Sequence, residues 1–221
     1  MFSDYRGIPW QARLLVYLSF IPNIAIGFIY TDLSYFLPNI QGLSPIQAGY
    51  VGSVMGLTLV AESIPFGIIA DRYGRRKMLI IGNVCASLSL IGFALTTNFY
   101  LYLIIGFLEG TGETAYAVSV SALIADRAGD RRRTAAFSLL AFTGWIAGAI
   151  GGFIVASIYV LHNAGLDIRQ AHLVLYAIVG LLNLSITPLI FKISESFSLT
   201  GRKEITLFPY TTLFRSRKSV V

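Results

Sequence analysis

Long apolar segments separated by short polar stretches make up the first 191 residues of this chain. Each segment is about as long as a helix that crosses the hydrocarbon core of a bilayer, which needs about 20 residues. Apolar runs of this length with few charges are typical of membrane-spanning helices. The pattern predicts six spans, at residues 14–36, 46–70, 78–97, 99–124, 135–161 and 173–191.

The composition agrees with a chain surrounded by lipid. Hydrophobic residues make up 55% of the sequence and charged residues only 13%, whereas soluble domains are about 25% charged. The first span is too long for the core of a signal peptide and is not followed by a small-residue cleavage site, so we interpret it as a retained helix. The sequence therefore predicts an all-α polytopic membrane protein.

The basic residues indicate how the chain is oriented. If residues 1–13 are cytoplasmic, then the loops at 71–77 and 125–133 and the segment after residue 191 lie on the same side. These segments hold every basic residue except Arg169, which is 16 of the 17 in the chain. The positive-inside rule then predicts a multi-pass protein of a plasma or inner membrane with both ends in the cytoplasm. Bases spread over short loops argue against nucleic-acid binding.

The loop after the second predicted span combines two glycines, an acid and several bases in the order G-x-x-x-D-R-x-G-R-R-K. This order resembles the loop signature of the major facilitator superfamily of secondary transporters. The resemblance implies that residues 14–191 form the N-terminal six-helix half, built from two inverted three-helix repeats, and that the C-terminal half is a missing partner. It also implies a latch between the halves, formed by Gly67, Asp71, Arg72, Gly74, Arg75 and Arg76.

Each part of this loop has a physical role. Gly67 would let a neighbouring helix approach closely, and Gly74 would supply the positive φ of a tight turn. The basic cluster can anchor the loop among lipid headgroups, although it lies where cations oppose the dipole of the third helix. The alternative to a latch is an anchor that only fixes topology. We interpret the similar stretch at 125–133 as a second cytoplasmic charge loop.

Four acids lie inside predicted spans, where each charge costs about 2.5–3.5 kcal/mol at mid-bilayer. Glu109 and Glu113 are four residues apart and share one face of the fourth helix. Two such carboxyl groups disfavour each other's charge, so at least one is a candidate proton carrier. For Glu62 we favour a packing or gating role.

The resemblance implies that the first and fourth spans line a central cavity, which Asp32, Glu109 and Glu113 could share. The alternatives are an Asp32 at the membrane interface and a Glu113 that only forms a hydrogen bond to a neighbouring helix. No span carries a central Lys or Arg, so a cavity of this kind suits protons or a cationic substrate better than an anion.

The chain departs from the family pattern at some positions. Gly106 stands where many members carry an arginine, which puts an arginine-assisted proton step in doubt. The segment at 110–116 faintly resembles that of spinster-like members. Gly144, Gly148 and Gly152 predict close helix packing, but Ala147-Gly148 replaces the Gly-Pro of many antiporters.

Few residues suggest other chemistry. We expect His162 and His172 to be ordinary loop residues, and Cys85 lies alone inside the third span. There is no metal-ligand spacing, no nucleophile with a base and no phosphate-binding loop, so we expect no metal, no cofactor and no enzymatic activity.

The end of the chain differs from the rest. Residues 192–206 are polar and predict a cytoplasmic linker. Residues 207–216 match the in-frame translation of a common sequencing-adapter oligonucleotide, so we interpret 207–221 as an artefact tail and the chain as truncated. A disordered natural tail is the alternative.

The sequence therefore predicts transport of a small solute by alternating access in the full-length parent protein, either proton-coupled or facilitative. The alternatives are a non-transporting six-helix scaffold, one half of a dimer, or a fragment without function.

Overall fold

The structure is a computed structural model that describes Tyr5 and residues 7–195. Throughout that part the regular secondary structure is helical, and no strand occurs in it. The predictions for Arg6, for residues 196–206 of the linker and for the tail at 207–221 lie outside the described residues. The predicted all-α class is confirmed.

The helices form six spans, some of them in more than one piece. Span 1 contains Trp10–Leu18, Phe20–Tyr35 and a π-helical turn at Phe36–Ile40. Spans 2, 3 and 4 are Pro45–Tyr73, Arg75–Leu95 and Phe99–Ala128. Span 5 contains a 3₁₀ turn at Asp130–Arg132 followed by Arg133–Ile154 and Ser157–Asn163, and span 6 contains Ile168–Leu184 and Thr187–Ile190.

All the spans except span 4 are long and apolar enough to cross a membrane by length and composition. Span 4 is a continuous helix of 30 residues and carries Glu109 and Glu113 in its interior. Its length of about 45 Å at 1.5 Å per residue is more than enough to cross the hydrocarbon core.

Local sequence explains where several of these helices begin and break. Ser44 and Asp167 each form a capping box at the start of a span, which satisfies backbone N–H groups of the first turn. Span 1 is interrupted at Ser19, where Pro22 has no N–H to donate to the carbonyl four residues earlier. Pro188 has the same effect next to the break in span 6.

Two of the contacts between spans follow an inverted repeat, whereas the contact between spans 3 and 4 is much more extensive than its counterpart between spans 6 and 1. Span 4 packs against spans 2 and 3, span 5 packs against span 1, and span 6 packs against span 3. If spans 1 to 3 correspond to spans 4 to 6, the contact between spans 2 and 4 corresponds to the contact between spans 5 and 1. The contact between spans 3 and 6 corresponds to itself, as a two-fold relation requires.

Glycines allow the closest of these crossings. A Cβ built on Gly27 of span 1 would lie 2.0 Å from the carbonyl oxygen of Gly148 on span 5, and one on Gly151 would lie 2.1 Å from that of Ile24. Span 4 approaches span 2 in the same way, because a Cβ on Gly110 would lie 2.7 Å from the Met55 carbonyl oxygen. Small residues at helix crossings are typical of membrane bundles.

The glycines singled out from the sequence differ in their surroundings. On span 5 the Gly148 backbone lies against Gly27, although a Cβ on Gly148 itself would meet nothing closer than the Asn23 carbonyl oxygen at 4.0 Å. A Cβ on Gly152 would lie 3.0 Å from Thr31 Oγ1. Gly106, at the position of the family arginine, faces span 2, where a Cβ built on it would lie 3.2 Å from the carbonyl oxygen of Val51. A Cβ on Gly67 would meet nothing closer within the described residues than a Val118 methyl at 4.0 Å, so the close approach expected at Gly67 is not made by a helix of the described part and stays a prediction.

Candidate functional site

Two acids from different spans surround one arginine in the loop after span 2. The Arg75 guanidinium donates to Asp71 Oδ1 at 2.7 Å and to Asp126 Oδ2 at 2.5 Å, and also to the carbonyl oxygen of Ala122 at 3.2 Å. The Arg75 side chain is only 11% exposed. Asp71 and Arg75, both predicted as latch residues, therefore contact each other, and Asp126 of the second charge loop joins them.

Glu195 completes this end of the bundle. Its Oε1 accepts a hydrogen bond from the backbone N–H of Arg76 at 2.9 Å, so a carboxylate lies at the positive N-terminal end of span 3. Gly74 has the predicted positive φ, 111°, and a Cβ there would lie 2.8 Å from Glu195 Cδ. The carboxylate offsets the conflict between the basic cluster and the helix dipole. The sequence assigned Glu195 to a linker.

Other contacts bring the remaining segments to the same place. Arg76 donates to the Ile193 carbonyl oxygen at 3.0 Å, and Arg127 donates to Gln11 Oε1 at 3.0 Å and to the carbonyl oxygen of Ser194. We call this end, formed by residues 7–13, 71–77, 125–133 and 191–195, the basic end. Arg72, which the sequence placed in the latch, is exposed to solvent and lies outside the Arg75 cluster.

A cleft of about 780 Å³ lies between spans 1, 4 and 5. Glu113 is the only carboxylate among the described residues that line it, and no Lys, Arg or His lines it there. Glu113 Oε2 accepts a hydrogen bond of 2.8 Å from the Tyr30 hydroxyl of span 1. Trp145 of span 5 also lines the cleft and is 81% exposed. The cleft thus has a mostly apolar lining with a single carboxyl group, which the Tyr30 hydroxyl orients.

Glu109 lies one helical turn from Glu113, inside the bundle. It is 2% exposed and accepts a hydrogen bond from the Ser89 hydroxyl of span 3. A water-sized cavity is lined by both glutamates and by Asn83 and Asn183, whose side-chain oxygens have no hydrogen-bond partner within the described residues. The structure therefore brings the two glutamates together, with Glu113 on the cleft and Glu109 behind it.

Asp32 does not share this cavity. It is 1% exposed, and its Oδ1 lies 3.6 Å from Nε2 of His172 on span 6. Asp32 therefore lines neither the cleft nor the water-sized cavity that Glu109 and Glu113 share, and a role for it in transport stays a prediction. Residues 30 and 32 lie about 200° apart around a helix, so when Tyr30 faces the cleft, Asp32 faces the core.

The two histidines also differ from the prediction. His172 is 2% exposed and lies within helix Ile168–Leu184, not in a loop, because the Asp167 capping box starts span 6 five residues before the predicted position. His162 lies in the last turn of the short helix Ser157–Asn163, is exposed, and has Nδ1 2.9 Å from the Leu166 carbonyl oxygen.

Glu62 connects two spans instead of facing the cleft. Its Oε1 accepts a hydrogen bond from Thr111 of span 4 at 3.2 Å, a contact that fits the packing role favoured from the sequence. Within the described residues, no group of three or more His, Cys, Asp or Glu side chains is placed to hold a metal ion.

A six-span inverted-repeat bundle with a charged loop cluster and a cleft on one side is the architecture of a multi-pass membrane protein of the transporter class. The chain belongs to the Major Facilitator Superfamily, whose family model matches residues 14–219. The match covers the six spans and continues beyond the described residues. The membership predicted from the loop is confirmed, and it is membership in a family of transporters, not of enzymes.

Curated relatives carry different transport names. The chain is 29% identical over 191 residues to Multidrug resistance protein 2 of Bacillus subtilis, covering 85% of this chain and 44% of the relative. It is 28% identical over 192 residues to a gallate transporter of Pseudomonas putida, covering 85% and 41%. It is 27% identical over 167 residues to the inner membrane transport protein YajR of Escherichia coli, covering 74% and 36%. The chain thus spans less than half the length of each of these relatives.

Proposed function

We propose that this chain forms one half of a secondary transporter that moves a small solute across a membrane by alternating access. The family membership, the transport names of the relatives and the inverted-repeat bundle support this function. Alternating access needs two halves that rock about a shared site. The cleft between spans 1, 4 and 5 is the surface that a second six-helix half would complete. The basic residues of the loops support an orientation with the basic end in the cytoplasm.

We propose that the solute is a cation, and this choice rests on one observation. Glu113 is the only carboxylate on a mostly apolar cleft, and no base lines the described cleft to attract an anion. Charges in a poorly hydrated site interact more strongly than in water. A negatively charged Glu113 in the cleft therefore favours a solute of positive charge. The gallate transporter among the relatives is therefore a poor guide to this solute, because gallate is an anion.

Proton coupling follows from competition at the same group. A charged Glu113 attracts a cation, whereas a protonated Glu113 does not. A cation that enters the cleft therefore displaces the Glu113 proton, and the proton returns when the cation leaves. The Glu109 carboxyl group, next to the water-sized cavity behind Glu113, is a second group that can bind this proton. The Tyr30 hydroxyl orients the carboxylate towards the cleft.

The Arg75 cluster is the gating element of this proposal. Asp71 and Asp126 hold Arg75 between spans 2 and 4, and Glu195 holds the start of span 3 against the end of span 6. These contacts bind the segments of the basic end into one unit. In the complete transporter this unit would close the cytoplasmic side against the second half.

Fluorescence of Trp145 tests the binding step. The chain has two tryptophans, so Trp10→Phe leaves Trp145 as the only reporter in the cleft. We expect saturable quenching by tetraphenylphosphonium, a lipophilic cation, and none by gallate at equal concentration. Glu113→Gln should weaken the quenching at least ten-fold, whereas the matched variant Glu62→Gln should not. Equal affinity for gallate, or unchanged affinity in Glu113→Gln, would overturn the cation site.

Two further proposals concern the extent of the transporter domain and the origin of the last residues of the chain. We propose that residues 14–191 form the transporter domain and that residues 207–221 derive from an adapter. Sequencing the gene across these codons tests this origin. A genomic sequence that departs from the chain at or before residue 207 supports it, and one that encodes all of residues 207–216 contradicts it.

A further inference from the structure

A buried acid and base face each other in the core, away from the cleft. Asp32 of span 1 and His172 of span 6 are 1% and 2% exposed, and Asp32 Oδ1 lies 3.6 Å from His172 Nε2. Neither residue lines the cleft. They lie near the end of span 1 and the start of span 6, at the end of the bundle opposite the basic end.

The hydrogen bonds of the imidazole define where its protons lie. His172 Nδ1 is 2.8 Å from the carbonyl oxygen of Ile168, and because a carbonyl can only accept, Nδ1 must carry a hydrogen. Nε2 then points towards Asp32 at 3.6 Å, and the Tyr176 hydroxyl of span 6 also interacts with the Asp32 carboxylate as a side-chain hydrogen-bond donor. A bare Nε2 facing a bare carboxylate would place two acceptors against each other. One proton between them removes this conflict.

The surroundings favour a pair without net charge. The imidazole ring stacks with Phe36 and Tyr35 at centroid distances of 5.7 and 6.0 Å, and Tyr176 packs edge-on against Phe28. With one proton the pair is neutral as a unit. Without it, a neutral imidazole and a carboxylate leave one uncompensated negative charge in an apolar site, which is costly.

Other ionisable groups around the pair are acids or phenols. Tyr35 lies on span 1 and Tyr176 on span 6, and Tyr176 also interacts electrostatically with Asp32 and with Tyr102 and Glu109 of span 4. Arg169, one turn before His172, is exposed. Within the described residues, His172 is therefore the cation that faces Asp32.

We propose that Asp32 and His172 together form a proton-binding site in the core between spans 1 and 6, separate from Glu113. The pair holds one proton between Nε2 and Oδ1. Release of that proton needs water at the pair, and water reaches it only when span 1 moves away from span 6. Proton binding and the packing of these two spans therefore stabilise each other.

Nitrogen NMR of the imidazole rings in the full chain, reconstituted in lipid nanodiscs, tests the site directly. The chain has two histidines, and His162→Gln assigns the remaining signal to His172. At pH 7 we expect protons on both His172 nitrogens, or a proton on Nε2 shared with Asp32. A His172 ring that carries a proton on Nδ1 alone, with an Nε2 whose shift shows that it accepts no hydrogen bond, would overturn the proposal, and this readout needs no variant of the pair.

Variants of the pair add a second readout. Asp32→Asn should remove the proton from Nε2 at the same pH, and an unchanged ring would contradict a shared proton. His172→Gln should lower the unfolding temperature more than the double variant with Asp32→Asn, because the single change leaves a buried charge alone. The reverse order would also overturn the proposal. Glu113→Gln should leave the His172 signal unchanged, so failure of cation binding in the cleft is distinguishable from failure of this site.

Discussion

Alanine at Gly27 tests the closest helix crossing in the bundle. The added Cβ would lie 2.0 Å from the Gly148 carbonyl oxygen and 2.6 Å from its carbonyl carbon and Cα. A carbon in contact with a carbonyl oxygen normally stays about 3.3–3.6 Å away, so spans 1 and 5 must separate by about 1 Å or more. The atoms that the Cβ would meet belong to the helix backbone, which cannot relieve the clash by changing rotamer as a side chain can.

The cost of this separation follows from packing. Overpacking of a close-packed interior costs about 1–3 kcal/mol, and a gap of about 0.5–1 Å forfeits a quarter to a half of each dispersion contact along the crossing. The change Gly67→Ala is the matched control, because a Cβ there lies 4.0 Å from its nearest neighbour. Alanine inside a helix gains about 0.5–1 kcal/mol over glycine, so the two variants should shift stability in opposite directions.

Thermal unfolding in one detergent, followed by circular dichroism, provides the assay. A change of 1 kcal/mol shifts the midpoint by about 2–4 °C for a chain of this size. Gly27→Ala should therefore unfold several degrees below the wild type, and Gly67→Ala should unfold at or slightly above it. If Gly27→Ala is as stable as Gly67→Ala, spans 1 and 5 do not cross at this glycine and the arrangement of the bundle is wrong.

The other predictions concern the cleft and the basic end. Tyr30→Phe keeps the ring but removes the hydrogen bond to Glu113, which is worth about 1.5–3 kcal/mol for a charged acceptor. This variant should weaken tetraphenylphosphonium binding about ten-fold in the Trp145 fluorescence assay. Unchanged affinity would contradict the role of the hydroxyl. Asp126→Asn should lower the unfolding temperature by a few degrees, whereas Asp130→Asn, a side chain 94% exposed, should not; equal shifts would contradict the Arg75 cluster. Glu195→Gln should speed amide hydrogen exchange in the first turn of span 3, because the helix loses a carboxylate at its positive end; exchange at the wild-type rate would remove this role.

Local features of the fold could be predicted from the sequence. Span positions follow from apolar length, and the contact of Asp71 with Arg75 follows from their separation of four residues across a turn. Asp126 and Glu195 could not be placed in the same way, because they lie 51 and 119 residues from their partners. Only the packing of spans 2, 3, 4 and 6 brings them together.

Identical residue types also took different roles. Gly27 and Gly67 are both helix glycines, and only the partner helix decides which one allows a close crossing. Location in an apolar span suggests that Asp32 shares a cavity with Glu113, but Asp32 follows Tyr30 by two residues and therefore lies on another face of the helix. The apolar pattern predicts the start of span 6 too late and so places His172 in a loop. The Asp167 capping box is the sequence signal that gives the correct start.

The claim that Glu113 exchanges a proton for a cation is tested most directly by counting protons. Tetraphenylphosphonium is added to the full chain in weakly buffered nanodiscs between pH 5 and 9, and the proton released per bound cation is measured with a pH indicator. We expect release approaching one proton per cation at the lower pH values, with no release in Glu113→Gln. Cation binding without proton release at any pH, or equal release in Glu113→Gln, would contradict the account.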